Sequence, residues 1–170
     1  MNIKWIGAIL VIAGCGGVGF SIAARHRQTE KQIRQLMAAL QYMESDLQYR
    51  LTPLPELCRN AGRECSGILR EVFCNLAREL NWQMAPDACS CMNAALKRSR
   101  DLSPGLRRLL LRLGHTLGRF DLQGQLRGLQ SVQAACEEEL KKLCKNQDIR
   151  LRSYQTLGLC VGTALAILFA

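Results

Sequence analysis

Aromatic and histidine side chains are scarce in this chain of 170 residues, which limits its possible chemistry. Aromatic residues make up 5% of the sequence, and there are only two histidines. Proteins that bind single-stranded nucleic acid stack bases on aromatic side chains, and this sequence lacks that platform. The glycine-rich run G-C-G-G-V-G at residues 14–19 has neither a preceding strand nor the lysine of a phosphate-binding loop. We therefore predict a protein without enzymatic activity or a cofactor.

Charge is absent from both ends of the sequence. All 14 acidic residues and 22 of the 23 basic residues lie within residues 25–152. The uncharged residues 5–24 are numerous enough, at about 1.5 Å of helix rise each, to cross a hydrocarbon core of about 30 Å. The apolar part of residues 154–170 is shorter than the usual span of about 20 residues. We predict an N-terminal transmembrane helix in residues 1–24 and a membrane segment in residues 154–170.

Basic residues at both junctions orient the region between the two segments. The positive-inside tendency predicts a cytoplasmic central region with both termini outward. The residues at the two junctions are Arg25, Arg27, Lys31, Lys145, Arg150 and Arg152. A cleavable signal peptide is the alternative, because Ser21-Ile22-Ala23 resembles a small-x-small cleavage pattern. The arginines directly after it and the odd number of cysteines, nine, favour a membrane anchor and a reduced cytosolic domain.

Small residues recur at every fourth position in both terminal segments. Small side chains at this spacing let helices pack closely in lipid, although glycine and alanine are also common in membrane helices generally. The positions concerned are Ala13, Gly17, Ser21, Gly158, Gly162 and Ala166. We predict that these faces pack on each other or on helices of a partner.

Residues 25–153 are predicted to form one helical domain. No linker rich in glycine, serine or proline divides them, and apolar residues recur at spacings of three and four throughout. Helices are expected at about 29–50, 55–61, 68–80, 86–98, 104–117 and from 122 into the second membrane segment. The predicted fold class is all-α: an antiparallel bundle of about six helices flanked by two terminal membrane segments.

Two turns of this bundle are specified by residue type. In the first, Thr52-Pro53-Leu54-Pro55-Glu56 ends the first helix, because proline removes an amide donor and restricts the preceding residue. In the second, Gly118 suits the left-handed position after a helix, and Asp121 can cap the next one. Between the two turns, Ser103 and Pro104 mark the start of the fifth helix.

The cysteines are predicted mainly to pack in the core. Cys89 and Cys91 are too close together for the usual C-x2-C zinc pair, and no second pair or histidine stands at ligand spacing. His26 lies in a basic cluster beside the first membrane segment, and His115 can face a carboxylate such as Asp121. No nucleophile is adjacent to His115 in the sequence, so a general-base role is disfavoured. A thiol protein that uses Cys89 and Cys91 stays an alternative. Other cysteines expected on apolar helix faces are Cys58, Cys74 and Cys136.

A basic surface is predicted on the last two helices, and it consists of Arg107, Arg108, Arg112 and Arg127. Such a surface suits an acidic protein partner or anionic lipid headgroups. The alternative function from this pattern is a membrane-anchored basic adaptor that binds nucleic acid or anionic lipid.

Two motifs resemble the stage III sporulation protein AB family. They are Tyr49-Arg50-Leu51-Thr52-Pro53-Leu54-Pro55-Glu56, preceded by Leu40-Gln41, and Leu113-Gly114-His115-Thr116-Leu117-Gly118-Arg119-Phe120-Asp121 with Gln125. Length and the two terminal anchors agree with that family. The sequence departs from the expected pattern at Arg50, where glycine is usual, and at Phe120, where a small polar residue is usual.

The resemblance implies a component of the channel complex between mother cell and forespore, in the outer forespore membrane. It also implies a cytoplasmic domain similar to that of type II secretion inner-membrane platform F proteins. The implied partners are a secretion-type ATPase, stage III sporulation protein AA, and other membrane subunits, with self-association as a further possibility. The candidate site residues either hold the bundle together or contact a partner. They are Thr52, Pro53, Pro55, Glu56, Gly118, Asp121 and Gln125.

Overall fold

Six α-helices make up the regular structure in the described part of the chain. The computed structural model describes the backbone of residues 3–82, 87–99, 101–118 and 121–169, and the side chains of residues 25, 27–82, 87–99, 101–118 and 121–145. The helices are α1 (Ile3–Tyr49), α2 (Leu54–Arg63), α3 (Ile68–Trp82), α4 (Ala88–Arg98), α5 (Pro104–Thr116) and α6 (Leu122–Phe169). The described ranges contain no β-strand, so the predicted all-α fold of six helices is confirmed.

The two long helices extend into the segments predicted to lie in the membrane. The backbone of α1 is helical from Ile3 onward, and that of α6 is helical as far as Phe169. The side chains of residues 1–24 and 146–170 lie outside the described residues. Within the part that is described, no helix is both long and apolar enough to span a membrane.

The six helices run alternately up and down. The connection between α2 and α3 lies at the end of the bundle nearer Arg25, which we call the proximal end. There, Nε2 of Gln35 on α1 donates a hydrogen bond to the Ser66 hydroxyl at 2.7 Å. The α4–α5 connection lies at this end too, because Asp101 and Ser103 share a depression of about 620 Å³ with Arg25. The α1–α2 and α5–α6 turns meet at the opposite, distal end. The predicted antiparallel arrangement is therefore confirmed.

The core follows the predicted apolar faces. Ile33, Leu36, Leu40 and Met43 of α1 are fully buried, whereas the neighbouring Met37 is half-buried. Burial of each large aliphatic side chain contributes about 1.5–3 kcal/mol. Other fully buried large side chains include Phe73, Leu57, Leu69, Leu76, Met92, Leu96, Leu106, Leu110, Leu113 and, on α6, Leu129. Every helix thus directs one apolar face to a shared interior.

A polar contact fixes α6 against α1. Gln130 and Gln133 donate hydrogen bonds to the two carboxylate oxygens of Glu44, at 2.7 and 3.0 Å. The break that Gln133 makes in the leucine stripe of α6 is therefore a specific tie between helices. Hydrogen bonds to a charged group contribute about 1.5–3 kcal/mol each when they are well shielded.

Another polar contact joins α3 to α4. The Glu79 carboxylate is almost fully buried, and its Oε1 lies 2.9 Å from Nη2 of Arg98. The two atoms do not meet hydrogen-bond geometry, so the contact is an ion pair without a directed hydrogen bond. Arg98 is half-exposed, which leaves one side of this pair screened by water.

Residues 137–170 form a compact unit of their own. Their described side chains, residues 137–145, carry a Glu138–Lys142 ion pair of 2.8 Å along the helix. Such pairs of exposed residues one turn apart add about 0.3–0.5 kcal/mol to helix stability.

Helices α4 and α5 approach closely at Gly114. A Cβ on Gly114 would lie 2.7 Å from Met92 Cβ and 3.4 Å from Cys89 Cα. Gly114 therefore lets the two backbones approach more closely than any side chain would allow.

We expect Gly114→Ala to lower the free energy of unfolding by about 1–3 kcal/mol, because the added methyl overlaps Met92. Urea unfolding followed by circular dichroism measures the change. Lys97→Ala, at an exposed position of α4, is the control and should change stability by less than about 0.5 kcal/mol. Equal urea midpoints for Gly114→Ala and Lys97→Ala would show that α4 and α5 are not closely packed at Gly114.

Candidate protein interaction site

Helix α1 ends with a leucine in a left-handed conformation. The Asp46 carbonyl accepts hydrogen bonds from the amides of Arg50 at 2.8 Å and Leu51 at 3.1 Å. This closure places Leu51 at φ 54°, where glycine is usual and an L-side chain costs about 1–2 kcal/mol. The Leu51 side chain is 67% exposed, so its own burial does not offset that cost.

The T-P-L-P-E segment then starts α2 without a side-chain cap. Pro53 occupies the capping position, and its carbonyl accepts the Leu57 amide at 2.9 Å. Pro55 stands in the first turn, where helix amides have no internal partner and a missing donor costs little. Glu56 is exposed in the same turn, where a carboxylate favours the positive end of the helix dipole. Thr52 is half-buried and contributes to the turn by packing.

The second predicted turn has the geometry expected of it. Gly118 adopts φ 71°, and Asp121 Oδ1 accepts the Gly124 amide at 3.0 Å. The Asp121 carbonyl accepts the amide of Gln125 at 2.9 Å as α6 begins. The predicted left-handed glycine and helix cap are both present in the structure.

The structure brings these two turns together into one surface. A Cβ on Gly118 would lie 3.3 Å from Leu54 Cδ2, so the α1–α2 and α5–α6 turns are in contact. They share a depression of about 250 Å³, lined by Leu47, Leu51, Thr52, Leu54, Leu122 and Gln125. Sequence analysis treated them as separate corners.

We call the surface formed by Tyr49, Leu51, Leu122 and the neighbouring depression the distal corner. The three side chains are 78%, 67% and 38% exposed. Leu122 begins α6 and lies partly in solvent. Three large apolar side chains exposed together characterise a surface that another protein can cover.

A buried carboxyl group lies beneath this corner. Asp46 is only 5% exposed, and its Oδ2 has no hydrogen-bond partner among the described residues. It contributes to the lining of a depression of about 340 Å³ together with Tyr42, Ser45, Tyr49 and Arg50. A buried polar atom without a partner costs about 1–3 kcal/mol. The only sign of it in the sequence is an acidic residue between Met43 and Leu47, on the apolar face of α1.

The predicted basic residues lie on α5 and α6, and all four are exposed. Arg112 donates to the Ser131 hydroxyl at 2.8 Å, and Arg127 stands one turn before Ser131. These two arginines therefore lie near each other. Arg107 and Arg108 lie near the start of α5, at the opposite end of that helix from the distal corner. The basic surface and the distal corner are thus separate features.

The remaining predicted residues divide into two groups. The positions expected to pack helices in lipid lie outside the described side chains; they are Ala13, Gly17, Ser21, Gly158, Gly162 and Ala166. Cys58 and Cys136 are buried and Cys74 is half-buried. Burial raises the pKa of the Cys58 thiol to about 12. Burial and, to a smaller extent, the charge of Glu64 raise that of Cys65 to about 11.

Sequence analysis missed the neighbour of His115. Its Nε2 lies 3.4 Å from Sγ of Cys89 on α4, a contact between helices that linear spacing does not reveal. Among the described residues, no group of three or more histidine, cysteine, aspartate or glutamate side chains can hold a metal ion.

Together, the fold and the site define a class of antiparallel helical bundle whose candidate site is an exposed apolar corner. The family described as stage III sporulation protein AB matches residues 4–170, and the chain belongs to that family. It is 25% identical over 173 residues to stage III sporulation protein AB of Bacillus subtilis (strain 168), with 98% of each chain covered. A solved structure of a stage III sporulation protein AB superposes with a TM-score of 0.63 at 24% identity. That match covers 72% of this chain and 98% of the other.

Membership gives this chain a sporulation-associated role.

We expect Asp121→Ala to lower the free energy of unfolding by about 1 kcal/mol, because the amide of Gly124 loses its acceptor. Asp121→Asn keeps an acceptor oxygen and should retain most of the stability. Urea midpoints of the two variants provide the measurement. If Asp121→Ala unfolds at the wild-type midpoint but no longer binds a partner, Asp121 acts at an interface and not as a cap.

Proposed function

We propose that this chain is a membrane-anchored scaffold of the channel complex between mother cell and forespore. In this role it couples a cytosolic secretion-type ATPase, similar to stage III sporulation protein AA, to the membrane subunits. The bundle lies on the mother-cell side of the outer forespore membrane with both termini outward. Such a scaffold needs anchors and a binding surface, and it needs no catalytic group.

The distal corner is the observation that carries this proposal. Leu51 holds a strained backbone conformation and yet exposes its side chain, so the bundle gains little from having leucine there. A residue with a strained backbone is retained where its function outweighs the loss of stability that the strain causes. Contact of Leu51, Tyr49 and Leu122 with the ATPase supplies that requirement, since covering a leucine contributes about 1.5–3 kcal/mol.

The position of the corner along α1 suits this partner. From Arg25 to Tyr49 the helix advances about 36 Å, at 1.5 Å per residue. With residues 5–24 in the bilayer, the corner stands well clear of the lipid headgroups. A cytosolic ATPase can then reach it without contacting the membrane.

Asp46 defines the chemistry of the segment that binds. Its Oδ2 is buried without a hydrogen-bond partner among the described residues, beside the freely exposed Tyr49. A lysine or arginine from the ATPase that displaces Tyr49 can pair with this oxygen. We therefore expect a partner segment in which apolar residues flank one basic residue.

The first test is co-purification of the full-length chain with the ATPase. We expect Leu51→Ser and Tyr49→Ala each to weaken binding about tenfold or more, because truncation at the centre of an interface costs about 2 kcal/mol or more and about 1.4 kcal/mol is tenfold in Kd. Lys97→Ala is the control, since Lys97 is exposed near the end of α4, away from the distal corner. It should bind like the wild type.

Variants of the basic surface test whether the ATPase binds there and not at the distal corner. Arg107→Glu and Arg127→Glu are expected to leave ATPase binding within about twofold, because exposed charges contribute little to affinity. Loss of binding in these variants with full binding by Leu51→Ser would place the ATPase on α5 and α6. Binding to DNA or anionic vesicles that falls steeply with salt and depends on these arginines would support the basic adaptor instead.

A second test uses Asp46→Asn, which is expected to keep or raise stability while it weakens binding. We expect Asp46→Asn to leave the free energy of unfolding unchanged or to raise it by up to about 1 kcal/mol, because it replaces a buried carboxyl group that has no partner. The same substitution should weaken ATPase binding, because a neutral amide attracts a basic side chain less strongly. Urea unfolding and co-purification measure the two effects.

Glu44→Gln is the matched control for Asp46→Asn, because Glu44 accepts two hydrogen bonds within the bundle. It should lower stability without a specific loss of binding. A large loss of stability in Asp46→Asn would show that the carboxyl group supports the fold and not the partner.

A further inference from the structure

Cys89 and His115 form a thiol–imidazole pair between α4 and α5. Cys89 is in the first turn of α4, is 9% exposed, and places Sγ 3.4 Å from Nε2 of His115. Asn93, one turn further along α4, donates to the Cys89 carbonyl at 3.1 Å and lies 3.7 Å from Sγ. The thiol therefore has a proton acceptor on one side and an amide donor on the other.

The bundle fixes this geometry through the residue beside His115. Gly114 brings α5 so close to α4 that its Cβ position lies 3.4 Å from Cys89 Cα. The imidazole follows directly in sequence and reaches the thiol without strain.

Backbone groups and one carboxylate surround the start of α4 near this pair. The free amides in the first turn of α4 carry partial positive charge. Asp87 acts in the opposite direction, but its Oδ1 accepts the Ser90 amide at 3.1 Å, so part of its charge is neutralised locally.

We propose that Cys89 is the thiol at which this protein is reversibly modified, by exchange with a low-molecular-weight disulfide. The thiol proton moves to His115 Nε2, and the thiolate attacks one sulfur of the disulfide. A bond forms between Cys89 Sγ and that sulfur as the disulfide bond breaks. The departing thiolate takes the proton from the imidazolium, so one disulfide is consumed and one mixed disulfide is formed.

The other described thiols lack this combination of features. Cys58 and Cys65 are buried, and their raised pKa values of about 12 and 11 keep them protonated at neutral pH. Cys91 and Cys136 are buried, as Cys89 is, and Cys74 is half-buried; what sets Cys89 apart is the approach of His115 to its sulfur. Cys144 is exposed. Among the described side chains, the histidine that approaches a thiol is His115, and that thiol is Cys89. Cys144 is therefore the internal reference for an accessible thiol without this neighbour.

The site is independent of the proposed ATPase contact. Cys89 lies at the closest approach of α4 and α5, so an adduct there must push the first turn of α4 outward. Modification would thus loosen the bundle from within, whichever partner the distal corner binds.

Reaction of the full-length, reduced protein with glutathione disulfide at neutral pH tests the proposal. Peptide mass spectrometry follows the occupancy of each cysteine with time. We expect Cys89 to react about tenfold or more faster than Cys144, and His115→Gln to slow Cys89 by about tenfold while Cys144 is unchanged. Lys97→Ala, on the exposed face of α4, should leave both rates as in the wild type.

Protection of Cys58 shows whether each variant stays folded, because that thiol is accessible only after unfolding. An unchanged Cys89 rate in His115→Gln, with Cys58 still protected, would overturn the role of the imidazole. A Cys89 rate equal to or below that of Cys144 in the wild type would overturn the site itself. Asn93→Ala should slow Cys89 less than His115→Gln, since it removes only a weak donor.

Discussion

The closure of α1 against the α5–α6 turn is the constraint on which the rest of the structure depends. Leu51 turns the chain through a left-handed conformation, so that Leu54 can enter the space left open by Gly118. Closure requires a small residue on one side and a strained residue on the other. The strain is unusual because it falls on an exposed leucine, which makes the distal corner both the structural hinge of the fold and its candidate binding surface.

Several features of this architecture follow from the sequence because they depend on local chemistry. Apolar spacing of three and four predicts six helices, and Ser103 with Pro104 predicts the start of α5, where the Ser103 hydroxyl accepts the Leu106 amide at 3.3 Å. Gly118 and Asp121 predict the second turn in the same way, since left-handed backbone and helix caps each favour few residue types. The helix boundaries differ from those predicted by only a few residues, apart from α1, which is continuous through the first uncharged segment.

Other features depend on contacts between helices, which spacing along the chain does not encode. The contact between the two turns requires the antiparallel return of the whole bundle, so sequence analysis described two corners where the fold has one. Leu51 lacks the residue type expected at a left-handed position, and Asp46 looks like one polar interruption of an apolar face. The approach of His115 to Cys89 depends on how closely Gly114 allows α5 to pack on α4. In each case a tertiary contact gives the residue a role that its neighbours in sequence do not indicate.

Some polar residues interrupt the apolar faces of the helices, and their hydrogen bonds indicate whether they support the fold or are candidates for function. Gln133 breaks the leucine stripe of α6, yet it and Gln130 both donate to Glu44, so the interruption contributes to helix pairing. Asp46 breaks the face of α1 in the same way but has no such donor among the described residues. A buried polar atom that is paired contributes to the fold, whereas one left unpaired destabilises it until another group arrives. By this criterion, Glu44 belongs to the bundle, whereas Asp46 has an unpaired oxygen that is available for the proposed partner contact.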